Sequence, residues 1–147
     1  MPQRDSVAIV EAFWREVWQQ QNPDAIDKFV HEDFILTTGS NDIRSRQGFK
    51  ESVKGFLSQV RNFEFHIIES FQNFDGSRVA SRWRVTGRNN GMMGTTPNGA
   101  SFEMFGTAIW EIDENGTLVH NWVERNALEV YGAITGDGGR AVFSADP

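Results

Sequence analysis

The chain contains no cysteine. That excludes disulfides, thiolate nucleophiles and cysteine-based zinc sites. It also fits a reducing, cytoplasmic setting. Basic residues are outnumbered, with 14 Lys and Arg against 20 Asp and Glu, for a net charge of −6. Nucleic-acid binding rests on clustered Lys and Arg, so this balance argues against a nucleic-acid partner. No apolar stretch approaches the ~18 residues of a membrane-spanning helix, and no membrane partner is expected. Met1-Pro2-Gln3-Arg4-Asp5 is not followed by an apolar run, so no signal peptide is expected. The three histidines, His31, His66 and His120, lack metal-ligand spacing. No metal is expected. Gly87 to Gly99 does not end in the Gly-Lys-Ser/Thr of a phosphate loop, so it is not one. Glu111, Asp113, Asn115 and Gly116 begin like a calcium loop, but its twelfth position is Trp122. A hairpin turn is the better reading.

Large rings are abundant instead: five Trp, twelve Phe and one Tyr among 147 residues. A chain of this length suits one domain, and it buries roughly 70% of the surface exposed when unfolded. Most rings in such a domain pack the core. A second use is a ring-lined cavity with a few polar groups, the usual form of a small-molecule site.

Helical spacing of Val10, Phe13, Trp14, Val17 and Trp18 predicts a helix over 6–21, capped by Asp5 or Ser6. Asn22-Pro23 starts a short second helix, with Asn as cap and Pro first inside. Residues 34–38 read as a strand and 39–45 as a loop. Ser45 caps a third helix, with Phe49, Val53, Phe56, Leu57 and Val60 on one face. Long strands follow over 62–73, 77–89, 100–113 and 117–126, with hairpin signals at Asp75-Gly76 and Asn115-Gly116. A last helix covers 127–134. Helices first and strands after predict an α+β fold. Residues 1–134 form a single domain in this reading, and 135–147 are a flexible tail.

Strand 77–89 separates by parity. Val79, Ser81, Trp83, Val85, Gly87 and Asn89 share one face, and Arg78, Arg82, Arg84 and Arg88 share the other. Four charges cannot be buried unpaired, so the arginines face outward. Pairing with the next strand then turns Phe102, Met104, Gly106, Ala108, Trp110 and Ile112 inward. It also sets Glu103 and Glu111 against the arginines. The last strand depends on its turn. A two-residue Asn-Gly turn sends Trp122, Glu124 and Asn126 outward. A three-residue Glu114-Asn115-Gly116 loop sends them inward, with His120, and pairs Ile112 with Leu118. The second register is preferred. The polar groups Asn89, His120, Glu124 and Asn126 then converge as candidate catalytic residues. Trp14, Trp18, Trp83, Met104, Trp110 and Trp122 form the candidate substrate-binding walls. Val119 and Val123 are left outward, where they suit a sheet-to-sheet homodimer.

The order of elements, with several motifs, resembles the SnoaL-like polyketide cyclases of the nuclear transport factor 2-like superfamily. The motifs are Arg46-Gln47-Gly48-Phe49-Lys50, Arg82-Trp83-Arg84-Val85-Thr86-Gly87, Gly94-Thr95-Thr96-Pro97-Asn98-Gly99, Phe105-Gly106 and Trp122-Val123-Glu124-Arg125-Asn126-Ala127-Leu128. The resemblance runs from about Val7 to Ile134. It implies a cone-shaped α+β barrel, whose curved, mostly antiparallel sheet wraps N-terminal helices around a deep apolar pocket. It also implies dimers packed through their sheets, and cofactor-free ring closure by intramolecular aldol condensation. In that pattern an aspartate at the place of Asn126 acts as acid and base, with a histidine at the place of Asn89. A carboxylate and a histidine often stand where this chain has Leu36 and Thr37. All four positions are neutral here. The expectation is a cofactor-free cyclase or isomerase acting on a hydrophobic carbonyl compound. Asn89 and Asn126 would hold the carbonyl, and Glu124 with His120 would move protons. The alternative is a non-catalytic binder of small molecules on the same scaffold.

Overall fold

The computed structural model describes residues 4–136. Most of the expected flexible tail, from residue 137 on, lies outside the described residues. Asp5 starts the first helix, α1 (Ser6–Phe13), by accepting a hydrogen bond from the Ala8 N–H. The helix continues as a π-helical segment, Trp14–Gln19. Pro23 does open a second helix, but this is a short 3-10 turn, Pro23–Lys28, and Asn22 makes no side-chain cap. Ser45 caps α2 (Arg46–Ser58) through its Oγ, which accepts from the Gly48 N–H at 3.0 Å. Among the described residues the last helix is α3 (Ala127–Thr135). Among the described residues no helix is long and apolar enough to cross a membrane.

Among the described residues six strands form one sheet: β1 (Val30–Thr38), β2 (Asn41–Arg44), β3 (Val60–Gln72), β4 (Arg78–Asn89), β5 (Ser101–Ile112) and β6 (Leu118–Arg125). Their order is β2-β1-β6-β5-β4-β3. All neighbours are antiparallel except β1 and β6, which run parallel. The fold is the expected α+β cone, with its barrel left open, since β2 and β3 are both edges. The short strand β2 falls where a loop is expected. Of Asn41-Asp42-Ile43-Arg44 only Ile43 is apolar, so the segment shows little strand propensity and forms by pairing with β1 across the Gly39-Ser40 turn.

Parity on β4 and β5 holds. The inward residues of both strands are buried, and Trp110 and Met104 are fully enclosed. Outside, Arg82 meets Glu69 at 2.6 Å, Arg84 meets Glu103 at 2.7 Å and Arg78 meets Glu111 at 3.7 Å. The core forms where α1 and α2 lie on the concave face. There Phe13 packs on Trp110 with ring centroids 4.9 Å apart and on Phe49 at 6.0 Å. Phe34 closes this cluster against Phe49 at 4.6 Å.

Candidate functional site

The helices do not fill the concave face. An open cavity of about 460 Å³ remains between the sheet, the π-helical segment and α2. Trp14 and Trp18 stand four residues apart on the π-helical segment, and both line the cavity. A π-helical turn spreads the ladder of backbone bonds and commonly marks a functional site. Phe49, Val53 and Phe56 enter from α2, and Trp83, Val85 and Met104 from the sheet. Of the expected walls, Trp14, Trp18, Trp83 and Met104 line the cavity. Trp110 lies in the core behind it, 5.4 Å from the ring of Trp14.

The polar side of the cavity differs from the expectation. The turn itself is the expected three-residue loop. The Asp113 N–H donates to the Thr117 carbonyl at 2.9 Å, Gly116 is left-handed at φ 78°, and Ile112 pairs with Leu118. One residue later the register slips, since Glu111 pairs with His120 and leaves Val119 in a bulge. A one-residue slip reverses every side chain beyond it. Asn121 pairs with Trp110, Val123 with Ala108 and Arg125 with Gly106, so these three face inward and line the cavity. His120, Trp122, Glu124 and Asn126 are correspondingly turned to the outer face. Val123 is not free for a sheet-to-sheet contact.

Two of the three inward residues are polar. Asn121 is only 3% exposed, and its Oδ1 has no hydrogen-bond partner. A buried polar atom left unpaired costs about 1–3 kcal/mol. The indole N–H groups of Trp14 and Trp83, both on cavity residues, are also unpaired. Arg125 is the only charged residue among the described lining residues. Its side chain keeps exposed surface, which is compatible with a place on the wall of an open cavity. Loss of solvent around it lowers the guanidinium pKa below the ordinary arginine value. Leu36 of β1 pairs with Asn121 and lines the cavity beside it. No carboxylate and no imidazole lines the cavity among the described residues.

The four expected catalytic residues are occupied elsewhere. Asn89 is fully buried, and its amide is committed to the 90–99 loop. Its Oδ1 accepts from the Gly91 and Met92 N–H groups, while its Nδ2 lies 3.0 Å from Thr95 Oγ1 and 3.0 Å from the Thr96 carbonyl. It thereby fixes Met92 and Met93, which line the cavity, without lining it itself. Asn126 joins β5 to α3: its Oδ1 accepts from the Phe105 N–H at 2.9 Å and its Nδ2 donates to Glu129 at 2.7 Å. His120 lies on the outer face with Nε2 at 2.8 Å from Thr37 Oγ1, and it stacks on Trp122 at 3.7 Å. Glu124 is exposed on that face, opposite Thr107. Among the described residues no cluster of His, Asp or Glu could hold a metal ion.

The comparisons with known proteins agree with this architecture. The model of the SnoaL-like polyketide cyclases matches residues 8–134. The chain belongs to this family. A protein assigned as a SnoaL-like polyketide cyclase from Jannaschia sp. CCS1 superposes with a TM-score of 0.80 at 17% identity, covering 100% of this chain and 99% of that one. One assigned as a polyketide cyclase from Acidithiobacillus ferrooxidans gives 0.74 at 23% identity, over 90% and 96%. AclR from Streptomyces galilaeus, assigned as a hydroxylase, gives 0.75 at 19% identity, again over 90% and 96%. At these identities the likeness shows the fold. The SnoaL-like fold thus carries more than one assigned chemistry, and the reaction has to be argued from the site. Comparison with curated protein sequences gives no match.

Proposed function

We propose that this SnoaL-like chain takes a hydrophobic carbonyl compound into the cavity and promotes its ring closure or isomerisation without a cofactor. The observation that carries this reading is an apolar cavity in which Arg125 is the one charged lining residue among the described residues. A carbonyl oxygen accepting from the guanidinium is polarised. If the neighbouring carbon gives its proton to water in the open cavity, negative charge develops on that oxygen, where Arg125 stabilises it. The enolate carbon then bonds to a second carbonyl carbon of the same molecule, and the resulting alkoxide takes a proton from water. A donor already aimed at the developing charge stabilises it without reorganising at the moment of reaction. The ring-lined walls hold the two reacting ends together, which supplies the orientational part of the acceleration. Asn89, His120, Glu124 and Asn126 do not line the cavity and have no part in this scheme.

A second reading, binding without turnover, is favoured by the lack of any carboxylate or imidazole on the described walls. Mass spectrometry separates the two. The purified protein is incubated with a linear aryl polyketone that can cyclise. Product forming faster than in protein-free buffer, and slowing in Arg125→Met, supports catalysis. Recovery of the unaltered ligand supports the binder.

The outer sheet face suits a second copy of the chain. Phe71, Ala80, Ile109 and Trp122 are register neighbours across β3, β4, β5 and β6, forming an apolar row. Phe71 is 58% exposed and Ile109 38%. Rows holding Arg82 with Glu69 and Arg78 with Glu111 flank it. Each flanking row carries both signs. Light scattering giving a monomer at high concentration would overturn the homodimer.

A further inference from the structure

The cavity has two polar positions on one strand, and they differ in kind. Asn121 and Arg125 both point inward from β6, with Val123 between them. Their Cα atoms are four residues apart, about 13 Å along an extended strand. Asn121 is enclosed, neutral and unpaired. Arg125 is charged, exposed along the cavity wall, and stands at the end of β6. Among the described residues it enters no ion pair. An arginine on an apolar wall without a carboxylate is a counter-charge without its partner. Its planar fork matches two oxygens held in one plane and separated by one carbon or a short conjugated bridge.

We propose that the ligand enters as an elongated anion, with a planar pair of oxygens on Arg125, an apolar body across Val123, and a neutral hydrogen-bonding group at Asn121. This rests on the reading of the cavity as the ligand site, and names the ligand's class. A carboxylate carries such an oxygen pair, and so does the enolate of a β-diketone. The enolate case bears on the missing base: a β-diketone ionises in water near neutral pH more readily than a simple ketone, and Arg125 favours its anion. The protein then needs no carboxylate of its own to start the reaction. Desolvation is the cause of the lowered Arg125 pKa, and an anion beside the guanidinium would oppose it.

Calorimetric titration with four probes tests this. They are a hydroxynaphthoate with its hydroxyl on the far ring, its methyl ester, the naphthoate lacking that hydroxyl, and a naphthyl β-diketone. The hydroxynaphthoate is expected to bind about 10- to 100-fold more tightly than its ester, the range of charge-assisted hydrogen bonds. Arg125→Met should erase that ratio, and Arg125→Lys should keep part of it. Asn121→Leu should reduce the hydroxynaphthoate to the level of plain naphthoate. If Arg125→Met does not fold, the acid-to-ester ratio of the unaltered protein still decides. Enolate absorption from the bound diketone, at a pH where the free compound is neutral, identifies the enolate as the preferred source. Naphthoate binding without that absorption identifies a carboxylate. Equal binding of acid and ester overturns the anion while leaving the cavity reading in place. Failure of all four probes to bind overturns both.

Discussion

The indole of Trp83 occupies the place where Gly106 has no side chain. The two residues are register neighbours on β4 and β5. An ideal Cβ on Gly106 falls 2.0 Å from Cζ2 of Trp83 and 2.2 Å from Cε2. Gly106 separates Trp83 from Arg125 in the same row, so its missing side chain lets a large ring lie flat along the cavity wall. Gly106→Ala must displace that ring, which also stacks on Phe65 at 5.8 Å. The expected cost is about 1–3 kcal/mol, the usual penalty of overpacking. Chemical melts of the variant check the stability, and titration with hydroxynaphthoate checks the cavity. Unchanged stability and unchanged affinity would mean that Trp83 does not depend on this gap.

Restoring the family's aspartate by Asn126→Asp should not create acid–base chemistry, because position 126 is off the cavity. Its effect should be on stability. The Oδ1 bond from Phe105 survives, but the Nδ2 that donates to Glu129 becomes an oxygen facing a carboxylate. Two carboxylates in contact raise each other's pKa. A raised carboxyl pKa contributes stability below its unfolded value and loses it as pH rises through the folded value. The variant should therefore be about 1–2 kcal/mol less stable at neutral pH and should recover on acidification. Melting curves across pH check this. A large gain in turnover would instead place position 126 in the site.

Asn89→Ala should behave as a loop-unlocking change. The Asn89 side chain holds the Gly91 and Met92 N–H groups and reaches Thr95, Thr96 and Asn98. Removing it orphans donors buried around a fully enclosed position, at about 2 kcal/mol or more. Met92 and Met93 would lose their fixed place on the cavity wall. Limited proteolysis should cut the 90–99 segment faster than in the unaltered protein, and ligand affinity should fall with it. Intact protection of the segment would show that its backbone holds without Asn89.

Much of the fold was readable because local signals agreed with one another. Ser45 caps α2 as its place before Phe49 and Val53 suggests. On β4, arginine alternates with apolar residues, so only one face can be buried. β2 was not readable, because its form comes from pairing and Asn41-Asp42-Ile43-Arg44 carries little preference of its own. The cavity walls were mostly legible, since Trp14, Trp18, Trp83 and Met104 are large and regularly spaced. The polar side was not. The turn after Asp113 is the three-residue loop that Gly116 allows, but Val119 bulges where β6 pairs with β5 on one side and β1 on the other. Leu118 is fixed there by Ile112 and by the Phe29 carbonyl, which accepts from its N–H at 2.9 Å. That constraint is tertiary and leaves no mark in the strand's own pattern. It exchanged His120, Glu124 and Asn126 for Asn121 and Arg125.

The outer face has its own pH dependence, centred on His120. Its Nε2 bonds Thr37 Oγ1, whose hydroxyl donates to Asp42 at 2.7 Å, and its ring stacks on Trp122. Desolvation lowers its pKa below the ordinary 6.5, with Arg44 and Arg78 acting in the same direction, while Asp42 and Glu111 oppose the shift. The sign follows from linkage. A histidine whose folded pKa is depressed contributes stability that is fully present above the unfolded value and is lost as pH falls through the folded value. Stability should therefore decline on moving from about pH 8 to about pH 5, in a window starting near the ordinary histidine pKa. His120→Gln keeps a polar contact to Thr37 without a titrating ring. Its melting temperature should fall less over the same range. Nuclear magnetic resonance of the imidazole reports the pKa directly. A value above the ordinary one would reverse the expected slope, and would mean that Asp42 and Glu111 outweigh the loss of solvent.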